Sequence, residues 1–282
     1  MHPVSGHSIP ALVSAPPRET LPTMYDLPSE FPEEPGLPDE FHDLQPQLLS
    51  RTLRLAAYSR ENWFTGTDLN VYYDPNHVLW HKRPDWFLAL NVPHLYEGAD
   101  LRMSYVVWQE QQSPQVVVEF LSPKTEREDL GRFYRESDRV VDPLAASFPP
   151  PLAPTNTPPS KVEVYERYLG VPHYIVYSRY TQRLRYFQLA GGRYQEQSLR
   201  SGNPRIWLAD LDIGLGIWQG RFEGKSSHWL RWCDGDGNWF WTDTETAQQQ
   251  AAAAQQQAAA AQQRAERLAE RLRSLGLDPD EI

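Results

Sequence analysis

Apolar residues at Leu44, Leu48, Leu49, Leu53, Leu55 and Ala56 recur at roughly helical spacing. They predict a first helix opening near Leu37-Pro38-Asp39-Glu40, where an early proline and acids in the first turn mark an N-terminus. Pro46 falls inside this run, and the helix is expected to restart there with Pro46 in its first turn. The period then changes to that of strands. Leu69 to Tyr73 alternates in part, Trp86 to Leu90 is apolar, and Gln115 to Leu121 carries an apolar run interrupted by Glu119. The last of these suits a central strand buried on both faces. Lys161 to Leu169 returns to helical spacing and stops at Gly170. Tyr174 to Tyr177 reads as a buried strand, and Leu184 to Leu189 before Gly191-Gly192 opens a hairpin. Ile206 to Trp241, rich in Trp and punctuated by Gly, predicts short closing strands.

The order of helix, strands, helix and strands indicates an α/β or α+β domain from about 37 to 241. The segment 1–36, full of prolines, is expected to be extended or disordered, and 142–160 reads as an inserted loop. The tail, 242–282, has its own pattern. Ala247, Ala251, Ala254, Ala258, Ala261, Ala265, Leu268, Leu272 and Leu275 alternate in steps of four and three. That is a heptad seam, alanine turning into leucine, and it predicts a coiled-coil helix over a solitary Ala-rich helix. A homo-oligomer follows as an expectation.

Composition narrows the class. In 282 residues the apolar fraction is 40%, enough for a sizeable core. A single cysteine, Cys233, excludes an internal disulfide framework and fits a cytoplasmic setting. No run approaches the ~18 apolar residues that span a bilayer, and the polar N-terminus does not read as a secretory signal. The net charge of −10 argues against a surface given over to nonspecific nucleic-acid binding. It leaves room for an acidic site that offsets its own charge with cations.

The candidate chemistry lies in Pro84-Asp85 and Val116-Val117-Val118-Glu119. An aspartate and a glutamate at two strand ends can converge on one divalent cation, with the Phe120 carbonyl as a third hard oxygen donor. Attack on phosphorus also calls for a positive charge nearby, yet Leu121 stands two residues after Glu119. Each acid has a plainer reading. Pro-Asp opens turns, and Glu119 is costly in a buried strand unless paired, with Lys124 or Arg83 as partners. Asp234-Gly235-Asp236-Gly237-Asn238 suggests a calcium loop, but flanking Trp232 and Trp239 favour a hairpin turn.

Taken together, Lys82 to Phe87, Val118 to Thr125, Asp129, Lys161 with Tyr165, and Gly170 to Tyr174 resemble the Uma-two family of restriction-endonuclease-like proteins, in the PD-(D/E)XK nuclease superfamily. The resemblance covers roughly 37–240. It implies a central mixed sheet flanked by helices and hydrolysis of nucleic-acid phosphodiesters, with DNA as the expected substrate and Mg²⁺, or Mn²⁺, as cofactor. Asp85 and Glu119 match the family's metal-binding acids. The lysine usual two positions after the glutamate is absent. Lys161 matches a lysine on the following helix whose flexible stem can reach back, with Lys124 as its rival. Glu40, or alternatively Asp43, is the candidate acid from the first helix, with His42 between them. Asp129 matches a recurrent position. About thirty residues separate Asp129 from Lys161, where shorter members run almost directly from one to the other. The competing reading is a noncatalytic scaffold on a degenerate nuclease core.

Overall fold

The computed structural model describes residues 39–122, 125–136 and 158–275. The proline-rich segment 1–36 and most of the expected 142–160 insertion lie outside the described residues. Helix α1 (Glu40–Thr52) is capped by Asp39, whose side chain accepts the N–H groups of Phe41 and His42. Contrary to the expected restart, α1 runs unbroken through Pro46. Proline removes one helical donor there, but tertiary bonds hold the helix on both sides of it. Gln45 exchanges two hydrogen bonds with the backbone of Leu230, and the Leu49 carbonyl accepts the Trp232 indole N–H.

After α1 come β1 (Trp63–Gly66), β2 (Val71–Tyr72), β3 (His81–Lys82), β4 (Trp86–Leu90) and β5 (Tyr105–Val106). Short helix α2 (Val107–Glu110), strand β6 (Pro114–Phe120) and short helix α3 (Glu126–Leu130) follow. Further on, α4 (Lys161–Glu163) runs straight into a π-helical turn (Val164–Tyr168), so the expected helix is present but wider in its second half. The chain continues with β7 (His173–Ser178), β8 (Arg183–Ala190), β9 (Arg193–Gln197), β10 (Arg205–Leu208), β11 (Ile213–Phe222) and β12 (Lys225–Cys233). It closes on helix α5 (Asp243–Ser274).

Six strands form the central sheet in the order β1-β4-β6-β7-β8-β9. Only the β6–β7 pair in it is parallel, which makes the sheet mixed. A parallel pair needs a crossover, and α3 and α4 lie on it. The run of valines occupies the middle of the sheet, and its residues alternate between two apolar clusters as strand geometry requires. Val116, Val118 and Phe120 pack with α1 and the β10–β12 residues. Val117 and Leu121 pack with Leu130, Val162, Val164 and Tyr165 of the crossover helices. The architecture is therefore a mixed α/β sheet with helices on both faces, the restriction-endonuclease-like arrangement.

The Trp-rich segment differs from the short strands expected of it. β11 and β12 form a hairpin ten and nine residues long. Glu223 and Gly224 both turn with positive φ (46° and 78°), the type of two-residue turn that matches strand twist. β10-β11-β12 makes a second sheet against α1, and β3-β2-β5 makes a third, small one. Asp234–Asn238 is a turn: Asp234 Oδ1 accepts the N–H groups of Asp236 and Asn238.

Helix α5 starts with a capping box between Thr242 and Glu245. Glu245 is also gripped by buried Arg231. From this anchor the 32-residue helix extends about 48 Å at 1.5 Å per residue. None of its residues is buried, and Leu268 and Leu275 of the seam are exposed. Among the described residues no helix is long and apolar enough to cross a membrane.

Candidate functional site

The antiparallel register of β4 and β6 pairs Trp86 with Val118. Asp85, one residue before β4, therefore sits beside Glu119. Two bonds lock the arrangement. The Phe120 N–H donates to Asp85 Oδ2 at 2.5 Å, and the Asp85 N–H donates to Glu119 Oε2 at 3.3 Å. Proline at 84 ends β3's approach and leaves Asp85 as a turn residue facing the neighbouring strand end. Asp85 is a bend residue with one carboxylate oxygen, Oδ2, accepting from the adjacent strand.

Across the crossover, Ser160 caps α4 by accepting the Glu163 N–H, which presents Lys161 in the first turn. Its Nζ lies 3.0 Å from Glu119 Oε2 and 2.8 Å from Asp129 Oδ1. Tyr165, four residues on and on the same helical face, donates its hydroxyl to Glu119 Oε1 at 2.7 Å. Glu119 is fully buried, Asp129 nearly so, and the Lys161 side chain is 12% exposed. The four side chains Asp85, Glu119, Asp129 and Lys161 thus form one cluster at the carboxyl end of β6.

The cluster holds more negative charge than its one ammonium offsets. Burial raises the Glu119 carboxyl well above its ordinary range; Lys161 opposes this, while Asp85 and Asp129 add to it. Asp85 is raised for the same first reason, with Lys161 and His42 pulling the other way. Lys161 moves in the sense that keeps it charged. Burial pushes it down, but Asp129, Glu119 and Asp85 together hold it well above the usual lysine value. It is therefore a fixed cation in the free protein rather than a base.

A second cation enters from α1, and sequence reasoning gave it little weight. His42 is 2% exposed. Its Nδ1 lies 3.0 Å from Asp39 Oδ1, and its Nε2 lies 3.0 Å from the Phe120 carbonyl oxygen. A carboxylate and a carbonyl can only accept, so this geometry favours the imidazolium, in which both ring nitrogens donate. Burial lowers its pKa, but the Asp39 hydrogen bond and the charges of Asp85 and Asp39 raise it overall. Arg179 completes the far side of Asp39 at 2.6 Å. The signal for this dyad was the Asp39/His42 spacing of three at a helix start.

The other expected residues are placed elsewhere. Glu40 is not brought to the cluster; its exposed carboxylate pairs with Lys225 at 2.8 Å. Asp43 is exposed and accepts from Gln47. Arg83 pairs with Asp68 at 2.8 Å and so is not the partner of Glu119. Lys124 lies outside the described residues. Leu121 is 4% exposed and belongs to the apolar cluster on the same face as Glu119. The place of a lysine two residues on is thus filled by hydrocarbon, and an ammonium reaches Glu119 from α4 instead.

A family model described as "Putative restriction endonuclease", that of Uma2, matches residues 18–218. The chain belongs to the Uma2 family. No curated protein and no solved structure matches it. The Uma2 match takes in α1, both crossover helices and every strand through β10, ending within β11, so the whole cluster lies within it. Restriction-endonuclease-like proteins generally use divalent metals.

The donor set of this Uma2 chain suits such an ion. Among the described residues no three His, Cys, Asp or Glu side chains close a metal cage. A magnesium-type site needs less than that: one or two carboxylates, with water and substrate oxygens filling the other positions. Asp85 and Glu119 are hard oxygen donors at one strand end; burial first, and the neighbouring acids after it, disfavour their charged forms, and a dication would favour them. The third expected donor, the Phe120 carbonyl, already accepts from His42 and has a second lone pair.

Proposed function

We propose that this chain hydrolyses phosphodiester bonds of DNA in a reaction that depends on Mg²⁺, with Mn²⁺ able to replace it. The observation that carries the reading is the Lys161 ammonium, delivered from α4 to Glu119 beside Asp85. Asp85 and Glu119 would hold the cation, with the Phe120 carbonyl as third donor. When bound, that cation supplies Lewis-acid polarisation of a phosphoryl oxygen. Lys161 contributes a permanent positive charge where negative charge grows on phosphorus. Asp129 holds that ammonium in place, and Tyr165 fixes the other oxygen of Glu119, so the carboxylate does not rotate between turnovers. A cytoplasmic setting fits the single, buried Cys233.

Asp85→Ala and Glu119→Ala should each abolish Mg²⁺-stimulated cleavage of plasmid DNA while leaving the circular dichroism of the fold intact. Cleavage that persists in either variant sinks the assignment.

The second reading is a scaffold built on a nuclease core that has lost its chemistry. Leu121 at the usual lysine position and the net charge of −10 favour it. Isothermal calorimetry separates the two. Absence of Mg²⁺ and Mn²⁺ binding to the wild type selects the scaffold; binding that disappears in Glu119→Gln selects the nuclease.

For α5 the proposed partner is a second copy of the chain. Its unbroken heptad seam and the exposure of Leu268 and Leu275 support a coiled coil between protomers.

A further inference from the structure

Two neighbouring acids on α3 each take a lysine, from two distant parts of the chain. Asp129 pairs with Lys161, as described. Glu128, the residue before it, pairs with Lys82 at 2.9 Å. Lys82 is the last residue of β3 and lies three positions before Asp85. The two pairs therefore flank the strand end that carries the candidate site.

The four side chains differ in one respect. Lys82 and Lys161 are each 12% exposed, and Asp129 is 1% exposed, but Glu128 is 50% exposed. A nearly buried ammonium is thus satisfied by a carboxylate that half faces solvent. Glu128 also senses both lysines. Burial pushes its carboxyl up, yet the Lys82 charge, the Lys82 hydrogen bond and the Lys161 charge leave it below the ordinary range. Its carboxylate pairs with one nearly buried cation and is open to solvent on the other side.

A carboxylate and a phosphodiester are both oxyanions with one negative charge. Replacing the first by the second keeps every ammonium paired, whereas vacating the place would leave Lys82 nearly buried without a partner. We infer that Glu128 fills a phosphate-binding position at Lys82, next to the Lys161–Asp129 pair, and that a backbone phosphate of the nucleic acid displaces it. Lys82 is then a substrate-binding residue, and Glu128 is an internal competitor that weakens binding until a polyanion supplies the replacement. This rests on the nucleic-acid reading of the same site.

The test is fluorescence anisotropy of a labelled DNA duplex without added metal, so that no cleavage intervenes, across 50 to 200 mM KCl. Losing one phosphate contact lowers the slope of log Kobs against log salt by about 0.9, and weakens binding about eightfold at 0.1 M salt. Lys82→Gln is expected to show both. Glu128→Gln should tighten binding, because it removes the competitor and leaves the lysine. An unchanged slope in a folded Lys82→Gln protein overturns the inference, as does weaker binding by Glu128→Gln. If Lys82→Gln fails to fold, the Glu128→Gln arm decides alone. The two readings fail differently. A wild type that binds no DNA removes the nucleic-acid reading and this inference with it. A wild type that binds DNA, with Lys82→Gln indistinguishable from it, removes only the inference.

Discussion

Replacing Lys161 by methionine keeps most of the stem's packing and removes the ammonium that touches Glu119 and Asp129. Both carboxylates are almost wholly buried, so neither can recover its lost partner from water. Breaking a buried pair by deleting one partner costs about 3–5 kcal/mol. For a domain of this size each kcal/mol moves Tm by about 2–4 °C, so the expected drop is about 6–20 °C. The loss should depend on pH in a definite sense. Burial already raises the Glu119 carboxyl while Lys161 opposes it; without the ammonium the folded state favours the protonated acid more strongly. An acid raised in the folded state loses stability as pH rises above its unfolded value and regains it as pH falls. The variant's deficit should therefore be largest near pH 8 and shrink towards pH 5. Thermal melts in EDTA at both pH values measure it, and added Mg²⁺ should recover part of the deficit. A deficit below about 1 kcal/mol at pH 8, or one that grows on acidification, would refute the view that this ammonium balances buried charge.

Three further outcomes follow from other contacts. Tyr165→Phe deprives Glu119 of a charge-assisted bond and should lower stability by about 1.5–3 kcal/mol in urea titration; a loss under half of that range would mean the hydroxyl is not needed. Asp39 is pushed up by burial, but its His42 hydrogen bond and the His42 and Arg179 charges hold it at about 2, below its ordinary 3.8. The stability this represents, about 2 kcal/mol at most, is present above pH 4 and is lost as pH falls through 2. Asp39→Asn should flatten acid unfolding across that window, and an unchanged acid limb would contradict it. Deleting 247–282 keeps the Arg231–Glu245 anchor and should lower the mass in light scattering; an unchanged mass would rule out pairing through α5.

The parts of the fold written in local periodicity were readable beforehand. The valine run suits a central strand, the Leu44–Leu53 stripe a helix and the Ala/Gln tail a long helix, and each is present. What could not be read depends on partners far away in sequence. β3 and β5 are two residues long, and it is their pairing with β2, not propensity, that makes them strands. Pro46 looked like a break because the bonds that hold α1 around it come from Leu230 and Trp232. In the site, Asp85, Glu119 and Lys161 were singled out from type, spacing and resemblance. His42 was underrated because its significance is the Phe120 carbonyl, 78 positions away. Glu40 points to Lys225 instead of the cluster, which helix position alone does not reveal for a first-turn acid.

Lys161 and Glu119 are joined by a tether, and its length matters less than its ends. Closing a flexible loop costs (3/2)RT ln n, about 0.6 kcal/mol for each doubling. Lengthening the stretch between Asp129 and Lys161 from about four residues to about thirty is three doublings, or about 2 kcal/mol. Leaving the buried carboxylates at the end of that stretch without their ammonium costs about 3–5 kcal/mol, more than the longer tether does. Chain length between α3 and α4 is thus a nearly free variable for this architecture. Insertions of different size can accumulate there over evolutionary time, or be engineered there to carry a tag, without moving the ammonium off its carboxylates.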